Sequence, residues 1–146
     1  MTRPTVSERY CRGMSDGNVE TLRAVIEAVN RRDLDALSTL LAPDVEIVPM
    51  RAALEGNTAY AGRDAAAEWF AAMDDSWETM TASAERFRDG GDCALAIGRF
   101  RGRGRGSGVP IDVEAAAVAR FRGGRVTHLR ISTDVAKAID AAGLSE

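Results

Sequence analysis

Asp44, His128 and Asp134 are the side chains of this chain whose types could move a proton in a general acid or base role, provided a fold brought one of them beside a bound molecule. His128 is the single histidine. Local pattern gives each a simpler task. Alternation places His128 with Arg130 on the strand face opposite Leu129 and Ile131, which reads as an outer or interface position. Asp134 follows Thr133 and stands where a side chain caps the last helix. Asp44 and Glu46 flank the first strand, and Glu46 alternates away from Val45 and Ile47. The row Arg99, Arg101, Arg103 and Arg105 could hold an anion through paired hydrogen bonds, but Asp112 and Glu114 can match it across a hairpin. Tyr60 and Trp69 each carry one hydrogen-bonding group on an apolar body, the form a ligand pocket uses. No cysteine and histidine cluster suggests a metal, and no glycine and lysine loop suggests a phosphate site.

The elements that must position these groups centre on residues 99–134. Gly106-Ser107-Gly108 separates two runs of strand length. In the second run Ile111, Val113, Ala115, Ala117, Ala119 and Phe121 are apolar at every odd position, which is period-two patterning with one buried face. In the first, Ala94, Ala96, Gly98, Phe100 and Gly102 share the face away from the arginines. Keeping apolar opposite apolar pairs Arg101 with Asp112, Arg99 with Glu114 and Phe100 with Val113. For Phe121 to share a side with Leu129 and Ile131, parity predicts a three-residue loop, Gly123-Gly124-Arg125.

Upstream, Asn18 is expected to cap a helix running to Asn30, and Asp33 a second one with Leu34, Leu37, Leu40 and Leu41 as its stripe, ended by Pro43. A strand is expected at Val45–Met50, a loop over a cleft mouth or edge at 51–62, a helix at Arg63–Met73, and strands at Trp77–Asp89 and Cys93–Arg105. A helix from Asp134 to Ala142 closes the chain at Gly143. Helices first and antiparallel strands last make the class α+β.

The chain has 146 residues, 45% hydrophobic and 28% charged, which suits one domain at 18–146 behind a flexible arm at 1–17. A net charge of -3 argues against general nucleic-acid binding. With only 5% aromatics and many alanines, the core must be built from small residues or enclose a hollow. Cys11 and Cys93 are expected to be reduced. The first residues lack the apolar core of a signal peptide and no run spans a membrane, so a cytoplasmic protein without membrane contact is expected.

In their order and spacing, RRDLDALSTLLAPDVEI, YAGRDAAAEWF, GRGRGSG, FRGGRV and STDVAKAIDAAGL resemble the nuclear-transport-factor-2-like superfamily and, within it, the SnoaL-like proteins. The resemblance implies a strongly curved antiparallel sheet wrapped around N-terminal helices as a cone, a cystatin-like α+β barrel. A pocket would occupy its wide end, and homodimers would form through the outer sheet face. It names no reaction, because members include enzymes and scaffolds. Against the isomerase pattern, the tyrosine position falls at Val25, the base at Pro49 and the donor aspartate at or beside Ala117. Against the cyclase and epoxide hydrolase pattern, the catalytic aspartate falls at Ile131 with its companion at Asp134, and an Arg-x-Asp falls on Gly98 and Phe100. Apolar residues therefore stand where that family places its acids and bases.

The leading expectation is a pocket for a small apolar or amphipathic molecule, lined by Val25, Ile47, Tyr60, Trp69, Phe100, Ala117, Leu129 and Ile131, with neither cofactor nor metal. The alternatives are a cyclase-like or isomerase-like enzyme whose acid or base has moved to Asp44, His128 or Asp134, and a dimeric interaction module that catalyses nothing.

Overall fold

The alternating hairpin sets the frame. In a computed structural model, which describes residues 6–50 and 59–143, β4 (Cys93–Gly104) and β5 (Pro110–Arg122) pair antiparallel. Arg101 lies opposite Asp112, Arg99 opposite Glu114 and Phe100 opposite Val113. This is the register that apolar and charge matching require.

The next connection departs from expectation. β6 (Arg125–Ser132) follows a two-residue turn, Gly123-Gly124, not a three-residue one, with Arg122 opposite Arg125. Both glycines have positive φ, 61° and 82°, as a type I′ turn demands. The extra residue that parity requires sits inside the strand instead. Phe121 pairs with Val126 and Arg120 with His128, so a bulge at Thr127 restores Leu129 and Ile131 to the inner face.

Before the hairpins come α1 (Val6–Arg31), α2 (Leu34–Leu40), β1 (Leu41–Val48), β2 (Tyr60–Ala61), α3 (Ala65–Ser76) and β3 (Trp77–Asp89). After β6 comes α4 (Val135–Ala141). The six strands run in the order β2-β1-β6-β5-β4-β3 as one curved, unclosed sheet, the cone, around α1 and α3. It is antiparallel except where β1 lies parallel to β6, and its edges β2 and β3 do not meet to close a barrel.

Other boundaries move as well. Residues 6–17, expected in a flexible arm, are helical, and Asn18 lies within α1 instead of capping it. Asn18 is buried, and its Nδ2 donates to the Gly91 carbonyl at 3.0 Å, tying α1 to the β3–β4 turn. Asp33 does cap α2, accepting from the Ala36 amide at 3.1 Å, and Leu41 opens β1 instead of closing that helix. Residues 51–58, most of the expected loop, lie outside the described residues.

Burial divides into two layers. Leu22, Val25, Val29, Leu37, Val45, Ile47 and Leu129 form the main core between helices and concave sheet. On the convex face α4 covers Cys93, Leu95, Ile97, Ala116 and Val118, so the first half of β4 is buried on both sides. At the edge, Asn30 near the end of α1 replaces a missing strand. Its Nδ2 donates to the Ala82 carbonyl and its Oδ1 accepts from the Ala82 amide, both at 2.8 Å.

Gly17 is exposed in α1 with open space where a Cβ would stand. Gly17→Ala is therefore expected to stabilise the protein by about 0.5–1 kcal/mol, the helix-interior cost of glycine, measured as a higher denaturant midpoint at unchanged m.

Candidate functional site

A cavity of about 300 Å³ lies between helices and concave sheet, within the ordinary ligand-pocket range. α1 supplies Leu22, Val25, Ile26 and Val29, and α3 supplies Trp69, Ala72 and Met73. β3, β4, β5 and β6 add Trp77, Met80, Phe100, Ala115, Ala117, Leu129 and Ile131, and Pro49, Met50 and Tyr60 complete one side. The void follows from side-chain size. Helical spacing aims α1's large aliphatics at the sheet, but the sheet answers with alanine and glycine at Ala82, Ala84, Ala96, Gly98, Ala115 and Ala117. Of the alanines in α3, only Ala72 borders the space. Ala65 and Ala66 are packed, and Ala67 and Ala71 face outward. Trp77 meets Phe100 edge to face, centroids 5.1 Å apart, and so stiffens one wall.

Seven of the expected lining residues, Val25, Tyr60, Trp69, Phe100, Ala117, Leu129 and Ile131, converge on this cavity. Ile47 does not. It faces inward but is 0% exposed in the packed core. The positions set against the family's acid and base groups, Val25, Pro49, Gly98, Phe100, Ala117 and Ile131, all border the cavity. Sequence reasoning missed Met50, Met73, Trp77 and Met80. On β3 the signal was the even series Met80, Ala82 and Ala84, but a register shift between Trp77 and Thr79 interrupts it.

None of the three candidate proton carriers lines the cavity. Asp44 is exposed and accepts from Arg122 at 2.8 Å, a bond that lowers its pKa below the ordinary carboxylate value. His128 stands on the outer face, its Nε2 3.8 Å from Glu46 and its Nδ1 3.2 Å from the Thr127 hydroxyl. Asp134 accepts from the Lys137 amide at 3.0 Å and caps α4. The lone described thiol, Cys93, is buried under α4, and burial raises its pKa, which makes it a poor nucleophile.

The arginine row is spent on structure. Nε of Arg99 donates to Asp112 at 2.7 Å, reaching past its opposite number Glu114, and Arg101 donates to the other oxygen at 3.2 Å. These bonds, Arg99's first, hold the Asp112 carboxyl below its ordinary pKa. Their stabilisation is therefore present above the unfolded carboxylate range and fades as pH falls through the lowered value. Arg103 donates to the Gly108 carbonyl at 2.6 Å, and Arg105 to the carbonyls of Asp74 and Trp77, where α3 ends.

Comparison with known proteins agrees with this geometry. A family model described as a SnoaL-like domain matches residues 22–129. No curated protein matches the chain. An NTF2-like protein of unknown function from Burkholderia pseudomallei is 24% identical, covering 85% of this chain and 95% of its own, at TM-score 0.72. A protein assigned as a SnoaL-like polyketide cyclase from Jannaschia is 18% identical over 100% of this chain and 99% of its own, at TM-score 0.71. TerC, co-crystallised with polyporic acid, is 19% identical over 87% of this chain and 98% of its own, at TM-score 0.71. At these identities the likeness is one of fold.

Proposed function

Because the chain belongs to the SnoaL-like domain family, we propose that it binds a small, neutral, mainly apolar molecule in the cavity between its helices and sheet. One observation carries the reading. Among the described residues the wall holds no carboxylate and no imidazole, and the one charged residue along it, Arg99, has its side chain engaged with Asp112. An ionic ligand there would lose hydration without gaining a counter-charge, whereas an apolar one gains by leaving water. TerC, co-crystallised with polyporic acid, supports a small organic ligand in this frame, though not its neutrality.

Cyclase-like turnover is the competing reading, favoured by the Jannaschia neighbour. It needs an acid or base at the ligand, and besides Arg99 the described wall offers only the Tyr60 phenol.

The test is binding of a neutral two-ring fluorophore such as N-phenyl-1-naphthylamine. Saturable binding is expected, and Ala117→Trp, which fills the space, is expected to weaken it by about tenfold or more, a loss of roughly 1.4 kcal/mol, without lowering the melting temperature. Affinity unchanged by the filled cavity would place the ligand elsewhere and remove the proposal.

A further inference from the structure

Trp69 is 6% exposed and is one of the residues lining the cavity, yet its indole N–H has no acceptor among the described residues. The large majority of buried side-chain donors in native proteins are paired, and a tryptophan N–H usually finds its partner when the ring is buried. The described wall offers little to pair with. Of the lining residues only Tyr60 and Ser83 carry side-chain oxygens, and Ser83 is exposed, its side chain on the strand face opposite to Ala82 and Ala84. An ordered water at Trp69 would need two or more polar partners, and the cavity wall is mainly apolar.

Resting on the cavity's reading as a ligand site, we infer that the Trp69 indole N–H donates to an acceptor oxygen of the ligand and so selects for it. The ligand is then no plain hydrocarbon but a neutral ring system with a carbonyl-type oxygen. Its size follows from volume. A cavity of about 150 Å³ holds one benzene ring, and this one, at about 300 Å³, suits two or three fused rings. The oxygen lies toward α3, and the hydrocarbon body lies against Leu129, Ile131 and Phe100.

Fluorene and fluorenone share a skeleton and differ in a methylene against a carbonyl, so their affinity ratio, measured by calorimetry, isolates the hydrogen bond. Fluorenone is expected to bind about fivefold more tightly to the native protein, the ratio falling to about one in Trp69→Phe and persisting in Tyr60→Phe. A readout that leaves Trp69 intact is its indole ¹⁵N–¹H resonance, assigned by the loss of the other tryptophan signal in Trp77→Phe. Fluorenone is expected to shift that resonance downfield and fluorene is not. Equal affinities in the native protein, or a preference abolished by Tyr60→Phe instead of Trp69→Phe, would overturn the assignment while leaving the cavity a ligand site. Failure of both compounds to bind would overturn the cavity reading and the assignment with it.

Discussion

Gly98→Ala is expected to cost about 3 kcal/mol of folding stability, the upper end for forcing extra volume into a packed site. Gly98 faces the interior from β4, and a Cβ built there overlaps the backbone carbonyl of Ser83 on β3. The obstacle is main chain, so no rotamer change relieves it. β3 would have to move away, and β3 carries Met80, Ala82 and Ala84 on the cavity wall and the Asn30 clamp at Ala82. Gly102 repeats the arrangement, a Cβ there standing 2.8 Å from the Thr79 carbonyl. Each glycine lies beside a register shift in β3, between Ala84 and Arg86 for the first and between Trp77 and Thr79 for the second. Glycine on the concave side and bulges in the neighbouring strand together let the sheet curl tightly enough to enclose a void. Urea unfolding of Gly98→Ala measures the cost, with Gly17→Ala, where nothing crowds the new methyl, as the control of opposite sign. A midpoint within about 0.5 kcal/mol of the native protein would mean that β3 yields freely and that the curvature has another cause.

The same glycines explain how far the sequence could be read. Alternation between Arg99 and Glu114 encodes both the inward face and the register, because charge and apolarity repeat with the strand's own period. The Arg-Gly alternation carried a second message that residue types alone conceal: arginine on the convex face tethers turns and the end of α3, and glycine on the concave face admits the neighbouring backbone. Bulges are invisible to period-two reasoning, so parity alone places the extra residue in the turn instead of at Thr127 and does not bring Trp77 and Met80 to one face. Ile47 shows the complementary gap. Parity says which way a side chain faces but not whether the space before it is filled, and at Ile47 it is filled. Asn18 has the chemistry of a cap, but the chain before it continues as helix, so its amide turns to Gly91 instead. The parallel β1–β6 pair joins distant segments, and no local pattern announces it.

Ile131→Asp is expected to destabilise the protein by about 2–4 kcal/mol at neutral pH, combining the lost burial of an isoleucine with the desolvation of a carboxylate. Ile131 is partly buried on the cavity wall with Leu129 and Ala117 beside it, and no arginine or lysine partner faces it from the described lining apart from Arg99, already held by Asp112. Desolvation raises the carboxyl pKa in the folded state. A raised folded pKa means that the stability is intact below the unfolded carboxylate range and falls as pH climbs through the folded value, opposite in sign to Asp112. Ile131→Asn separates the two contributions, since it carries the polar and volume change without the charge. The gap between the Asp and Asn variants should be near zero around pH 4 and open by about 1.4 kcal/mol for each unit by which the pKa is raised. A gap that does not change with pH would show the carboxylate fully hydrated and the cavity wet, which removes the basis for an apolar ligand. The experiment also measures what isoleucine spares this chain. Enzymes that hold a neutral carboxylic acid in an apolar site bear this same penalty for the sake of catalysis, and a wall of Val25, Pro49, Ala117 and Ile131 avoids it.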